Sequence, residues 1–308
     1  MRMRCLPAAA LIVAVAGPAA AGDFEPPWNP PPENGKNFTV PGIDNVPDLQ
    51  GDVTDPDLVV FLSGNQYMVV RDLVQAFKAA YPAYGRVFVE TLPPGVLVEQ
   101  IEQGALIVGN LRITLRPDIY AGGRGRMQEL QRGKQWFAET VDYARNRLAI
   151  MTAAGNPDRI AGWSDLARPE LPICMPNPKW EAIAAQQIIP ALRATGGERL
   201  VADIYSAKVA DGTNFVTRIH HRQTPMRIMQ GECAAGAVWY TEAYFHAELM
   251  KHPISMVMLP ESQNRYAVLT AGLMKQAPHR EAGVAFLRFL RSPEAWVVFA
   301  RYGFLAPE

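Results

Sequence analysis

The 308-residue chain is 49% hydrophobic and 19% charged, an ordinary globular composition. Its 30 basic and 30 acidic residues cancel, so no net field draws it to nucleic acid or to an anionic membrane. A chain this long outgrows one hydrophobic core, and two lobes or domains are expected.

The first 21 residues have the layout of a secretory signal. Arg2 and Arg4 form a short basic region, Leu6 to Gly17 an apolar one, and Ala19-Ala20-Ala21 a small-residue cleavage site. The apolar run is too short to span a bilayer. Cleavage after Ala21 predicts a periplasmic mature chain, and Cys5, which precedes the apolar region, leaves with the peptide. Cys174 and Cys233 remain, in a disulfide-permissive compartment. Both lie in apolar, strand-like contexts and read as two separate buried thiols, with a bridge as the alternative.

Residues 22–57, rich in Pro, Asn and Asp (PPWNPPPENG), read as an extended arm or linker. The acids Asp44, Asp48, Asp52, Asp55 and Asp57 lack the glycine turn and closing glutamate of a calcium loop, which leaves a solvated tether. Regular structure is expected to begin at the apolar run Leu58 to Leu62, a buried parallel strand. The loop SGNQ (Ser63 to Gln66) leads into a helix whose face carries Met68, Leu73, Phe77 and Tyr81. A strand in RVFVETL, the turn Pro93-Pro94-Gly95, a helix in VLVEQIEQGA and a strand in DIYAGG complete a parallel α/β unit, with the strand C-termini as its ligand edge. A second unit starts at NRLAIMTAAGNP and continues with a strand in LPICMPNP and a helix from Lys179 to Ala194, capped by Asn177-Pro178. GECAAGAVWYTEA reads as turn, buried strand and helix start, RYAVLTAGLM as a strand, and AGVAFLRFLRSPEAWVVFARYGF as two closing helices.

Several of these blocks carry a resemblance. The ending REAGVAFLRFLRSPEAWVVFARYGF, the VVF strand with its short loop, the QIEQGA helix, the DIYAGG strand end and the AVWYTEA block are similar, in order and spacing, to molybdate-type periplasmic binding proteins over residues 58 to 308. The resemblance implies an α/β, two-lobed periplasmic-binding-protein fold, each lobe a mostly parallel sheet flanked by helices, with ligand captured between the lobes by hinge closure. Lobe 1 would combine 58–144 with 264–308, and lobe 2 would be 145–263. It also implies delivery of the ligand to an ABC-type permease in the inner membrane; a monomer is expected, and no cofactor.

That family holds a tetrahedral oxyanion with hydroxyls, helix-terminal amides and a tyrosine. Carried over, those positions fall at Ser63 to Asn65, at Pro93-Pro94-Gly95, at Glu181, near His220 or His221, and at Trp239 with Tyr240 beside it. A carboxylate at Glu181 would repel a dianion, so the fold is expected to be kept and the ligand changed.

The candidate ligand-binding residues are therefore Ser63, Asn65, Gln66, Pro94, Gly95, Glu181, His221, Arg222, Trp239 and Tyr240. Asn65 and Gln66 would supply amides, Arg222 a bidentate clamp for an oxyanion, and Trp239 or Tyr240 a stacking face. Glu181 with His221 could form half of a metal site, but the chain has no CxxC, HxxxH or dense ligand cluster. An oxyanion or organic anion is the first ligand class and a metal ion the second. Without a nucleophile elbow, phosphate loop or zinc-protease motif, no enzyme is expected. The alternative is a periplasmic accessory or sensor that uses the fold, and the arm, to dock a partner protein.

Overall fold

The computed structural model describes residues 48–108, 111–179, 181–217 and 222–307. The signal segment 1–21, the arm up to residue 47 and His221 lie outside the described residues. In chain order the elements are β1 (Leu49–Gly51), β2 (Leu58–Ser63), α1 (Val70–Ala80), β3 (Val87–Leu92), α2 (Pro94–Gln103), β4 (Leu106–Val108), β5 (Leu111–Ile113), β6 (Ile119–Gly123), α3 (Arg124–Lys134) and β7 (Phe137–Ala153). They continue with β8 (Ile173–Cys174), α4 (Ile189–Ala202), α5 (Lys208–Ala210), α6 (Gln223–Met229), β9 (Ala235–Trp239), α7 (Tyr240–Tyr244), β10 (Ile254–Met258), β11 (Tyr266–Met274), α8 (Arg280–Leu290) and α9 (Pro293–Arg301).

Local chemistry explains the boundaries. Pro94 opens α2 at a position that needs no amide donor, and Gly104 closes it in the left-handed conformation (φ 63°). Ser292 caps α9 by accepting from the Ala295 amide (3.3 Å), with Pro293 next in the first turn. The helix expected to end at Ala194 runs on instead. A π-helical turn, Ile183–Ile188, passes into α4, which kinks at Gly196 and Gly197, where Gly197 takes φ 67°.

One curled sheet has the order β1-β3-β2-β6-β11-β7-β9-β8, with β10 also on β7. Parallel pairing joins β3, β2 and β6 on one side and β8 with β9 on the other. The long strands between them, β11 and β7, pair antiparallel. The 17-residue β7 serves both halves, lying against β11 and then against β9 and β10. A first core gathers around Phe77, whose ring meets Phe286 at 5.1 Å, Tyr81 at 5.3 Å and Phe289 at 5.5 Å. A second core collects Leu148, Ile150, Trp163, Ile188, Leu192 and Ala237. Among the described residues no helix is long and apolar enough to cross a membrane.

Two expectations are corrected here. The segment read as a free arm enters the fold at its end: Leu49, Gln50 and Gly51 form an edge strand antiparallel to β3, and Asp48 is fully buried. At three residues, that strand is too short to carry an alternating pattern. Cys174 and Cys233, read as separate thiols, form a disulfide with Cα atoms 5.8 Å apart. The cause is the close approach of β8 to β9, which pairs Cys174 with Gly236. A Cβ on Gly236 would stand 2.4 Å from the Cys174 carbonyl oxygen, so glycine permits that approach and the turn before β9 brings Cys233 alongside.

Candidate functional site

The C-terminal ends of β2, β3 and β6 stop along one line, and each hands over to a helical turn. Ser63 ends β2 and Gly64 and Asn65 follow it, Pro93 and Pro94 follow β3, and Gly123 ends β6 with Arg124 and Gly125 after it. Opposite them stand Glu181, Ala182, Ile183, Gln186 and Gln187, with Trp239 from the end of β9. Tyr266 to Leu269 of β11 form the floor. These groups enclose a cleft of about 290 Å³, room for a small solute. A Cβ on Gly125 would lie 4.0 Å from Gln186 Oε1, so the two walls stand at van der Waals distance there.

The first wall is set by a hydrogen-bond chain of fixed direction. The buried Tyr143 hydroxyl donates to Gln66 Oε1 (2.5 Å), Gln66 Nε2 donates to Ser63 Oγ (3.0 Å), and Ser63 Oγ donates to Asn65 Oδ1 (2.9 Å). Burial holds the Tyr143 phenol well above its ordinary pKa, so it stays a donor. The serine hydrogen is committed to Asn65, and the Asn65 side chain ends the chain at the cleft.

A β-bulge supplies the start of this chain. Leu269 pairs with Ala144 but Thr270 pairs with Asp142, which leaves Tyr143 as the extra residue of β7. Its neighbour Asp142 accepts from Arg124 Nη2 (2.6 Å) and from the Thr270 hydroxyl. Arg124 is the first residue of α3, whose opening backbone amides have no partner within the helix. Its Nε is buried without a hydrogen-bond partner among the described residues.

The second wall is acidic and amide-rich. Glu181 is 5% exposed, and its Oε1 accepts from the Thr217 hydroxyl and the Asn177 amide (3.2 Å). Gln186 and Gln187 sit on the π-helical turn, whose wider winding brings both to the cleft. Trp239 ends β9, and its backbone amide donates to Glu242 Oε2 at 3.4 Å.

Of the residues expected at the site, Ser63, Asn65, Pro94, Glu181 and Trp239 line the cleft. Gln66 stands behind Ser63 as a positioning group, and Gly95 lies in the first turn of α2, outside the lining. Tyr240 turns away, with the Arg147 guanidinium 4.4 Å over its ring. Arg222, expected as an anion clamp in the cleft, is buried against Asp48 at 2.5 Å, because the edge strand β1 carries a carboxylate to it. The proposed metal partner of Glu181, His221, is outside the described residues. Among the described residues no group of three or more His, Cys, Asp or Glu side chains could hold a metal ion. Sequence reasoning missed Arg124, Gln186, Gln187 and Tyr266. Arg124 directly follows the DIYAGG strand end, so the rule that ligands meet strand C-termini pointed to it.

Comparison with known proteins bears on the family and the fold. The family profile described as bacterial extracellular solute-binding protein matches residues 58–305. A molybdate-binding protein, ModA, of Mycobacterium tuberculosis is 20% identical over 251 residues, 81% of this chain and 85% of the relative. The periplasmic molybdate-binding protein of Azotobacter vinelandii superposes with a TM-score of 0.62 at 16% identity, over 82% of this chain and 100% of that one. The sulfate-binding protein SubI of M. tuberculosis gives a TM-score of 0.63 at 19% identity, over 82% of this chain and 86% of that one. At such identities the structural likenesses establish the two-lobed fold and no ligand.

Proposed function

We propose that this chain, which belongs to the bacterial extracellular solute-binding protein family, captures a small organic oxyanion in its cleft by closure of the lobes. The observation that carries this reading is the pairing across about 290 Å³ of Arg124, at the N-terminus of α3, with Glu181 on the opposite wall. An anionic group fits beside the α3 amides and the guanidinium. A hydroxyl or amino donor on the same ligand fits the Glu181 and Gln186 side, and the Trp239 and Tyr266 rings suit its carbon skeleton. A bare tetrahedral dianion suits the cleft less well, because a carboxylate replaces a neutral wall and Ser63 has already given its hydrogen to Asn65. The relatives' named cargoes, molybdate and sulfate, therefore indicate anion capture rather than this chain's own cargo.

On this reading lobe 1 is 58–144 with 264–308, with the β1 edge added, and lobe 2 is 145–263. Removal of residues 1–21 leaves the protein in the periplasm, from which the loaded form meets an ABC-type permease. The test is a thermal-shift and calorimetry panel of small hydroxy-, amino- and phospho-carboxylates against molybdate, sulfate and divalent metals. A ligand at one hundred times its Kd adds about 2.7 kcal/mol to the native state, a plainly visible shift. Carboxylates are expected to shift the melting temperature and molybdate is not; the reverse result removes the organic-anion reading. Arg124→Ala is expected to weaken the anion identified by about tenfold to a hundredfold, and unchanged affinity removes Arg124 from the site.

A further inference from the structure

The segment before β2 reaches across the molecule. Asp48 enters the fold at the cleft end of β3, where its carbonyl accepts from the Thr91 amide at 2.8 Å. Its carboxylate meets Arg222 Nη2 at 2.5 Å, and both side chains are 0% exposed. Arg222 immediately precedes α6, which packs on β7, β8, β9 and β10 in the second half and touches the first core through Met226 and Met229. The ion pair therefore joins the outermost strand of the first half to a helix of the second. Along the sheet, β1 stands four strand spacings from β11, roughly 19 Å from the strands that connect the halves. A second contact covers the pair: the Arg222 guanidinium lies 5.5 Å from the centre of the Tyr67 ring, and the Tyr67 hydroxyl is 3.1 Å from His246 Nε2.

We propose that β1 is a strap that holds the two lobes closed without ligand, with the Asp48–Arg222 pair as its fastening. Opening hinged at β7 and β11 moves α6 away from β1, so the two charges must part. A buried pair resists separation, since each charge loses a close partner of opposite sign in a dry environment. The fastening belongs to this chain's own N-terminal segment and operates whatever the cleft takes as ligand.

The experiment uses the ligand-free mature protein, so its result does not depend on the ligand class. Small-angle scattering is compared for the parent, Asp48→Asn and Asp48→Glu. Asp48→Asn is expected to raise the radius of gyration and the maximum dimension, while Asp48→Glu keeps the parent values. Amide exchange in α6 is expected to accelerate about tenfold or more in Asp48→Asn. A folded Asp48→Asn protein with parent-like scattering and parent-like α6 exchange overturns the strap. If that variant does not fold, exchange of the parent in mild denaturant decides: β1 and α6 amides opening in one reaction support the strap, and separate openings overturn it.

Discussion

On one side of the cleft, Ser63, Asn65 and Gln66 are held by a hydrogen-bond chain from Tyr143, above a core filled by the Phe77, Phe286 and Phe289 rings. On the other, Gln186 and Gln187 ride a π-helical turn with Glu181 just before it, and the same half holds a smaller core closed by the Cys174–Cys233 bridge. The first wall gets its rigidity from aromatic packing and neutral polar links. The second relies on a covalent link and on an acid whose oxygen is tied to Thr217 and Asn177. Each half also buries one titratable group at odds with its surroundings. Burial raises the Glu90 carboxyl of β3 well above its ordinary pKa, against a smaller opposing effect of the Gln100 side chain. Burial and the neighbouring His252 hold His246, in the second half, down to about 3. The lesson is that one fold can keep two walls in place by unrelated means, and that those means differ in what destroys them.

The contrast can be broken most forcefully in the first core. Phe77→Ala removes a ring in contact with four others, and a loss of about 3–5 kcal/mol is expected in urea unfolding. Reductant should leave the size of that loss unchanged. In the second half, replacing both Cys174 and Cys233 by Ala should cost about 2–4 kcal/mol, and the parent should lose a similar amount in reductant. If reductant leaves the parent's melting temperature unaltered, the bridge is not what closes that core.

Acid and alkali sharpen the comparison further. Unfolded His246 takes up a proton near its ordinary value of 6.5 while the native form does not, so stability falls as pH drops from 6.5 towards about 3. The slope from this group is at most about 1.4 kcal/mol per pH unit, and His252, also lowered by burial, steepens it. His246→Asn should flatten that limb. Glu90 works in the opposite sense. Its native form keeps a proton that the unfolded chain has lost, so its contribution is full below 4.5 and is lost as pH rises towards the native value. Glu90→Gln should therefore stabilise the protein by about 1–2 kcal/mol at neutral pH and hardly at all at pH 4, read from urea midpoints. Equal gains at both pH values would mean that Glu90 is not the group that titrates.

Much of the fold was legible because its patterns are local. The apolar run of β2, the amphipathic face of α1 and the Ser292-Pro293 start of α9 each announce themselves within a few residues. The cleft was legible where a residue follows a buried strand, as Ser63, Pro94 and Trp239 do. The rest depended on contacts distant in sequence. Arg222 looked available to a ligand because its partner, Asp48, sits 174 positions earlier in a segment with no periodicity. Arg124 follows a strand end, but nothing near it in sequence announces the bulge that brings Asp142 to it. The bridge was hidden for the same reason, since Gly236 reveals its purpose only once β8 lies against β9.

The bulge at Tyr143 has a consequence in counting. Side chains along a strand alternate between two faces, so one extra residue exchanges odd for even along everything downstream. Before it, Val141 and Tyr143 face the first core; after it, Ala144 faces that core, and Leu148 and Ile150 face the second. Deleting Tyr143 would leave Asp142 opposite Thr270 and Ala144 opposite Leu269 as neighbours in a regular ladder, so Leu148 and Ile150 would keep their face while the hydroxyl that starts the Gln66 chain would be lost. The bulge thus fits one more residue, and its hydroxyl, into β7 without turning the second half of the strand.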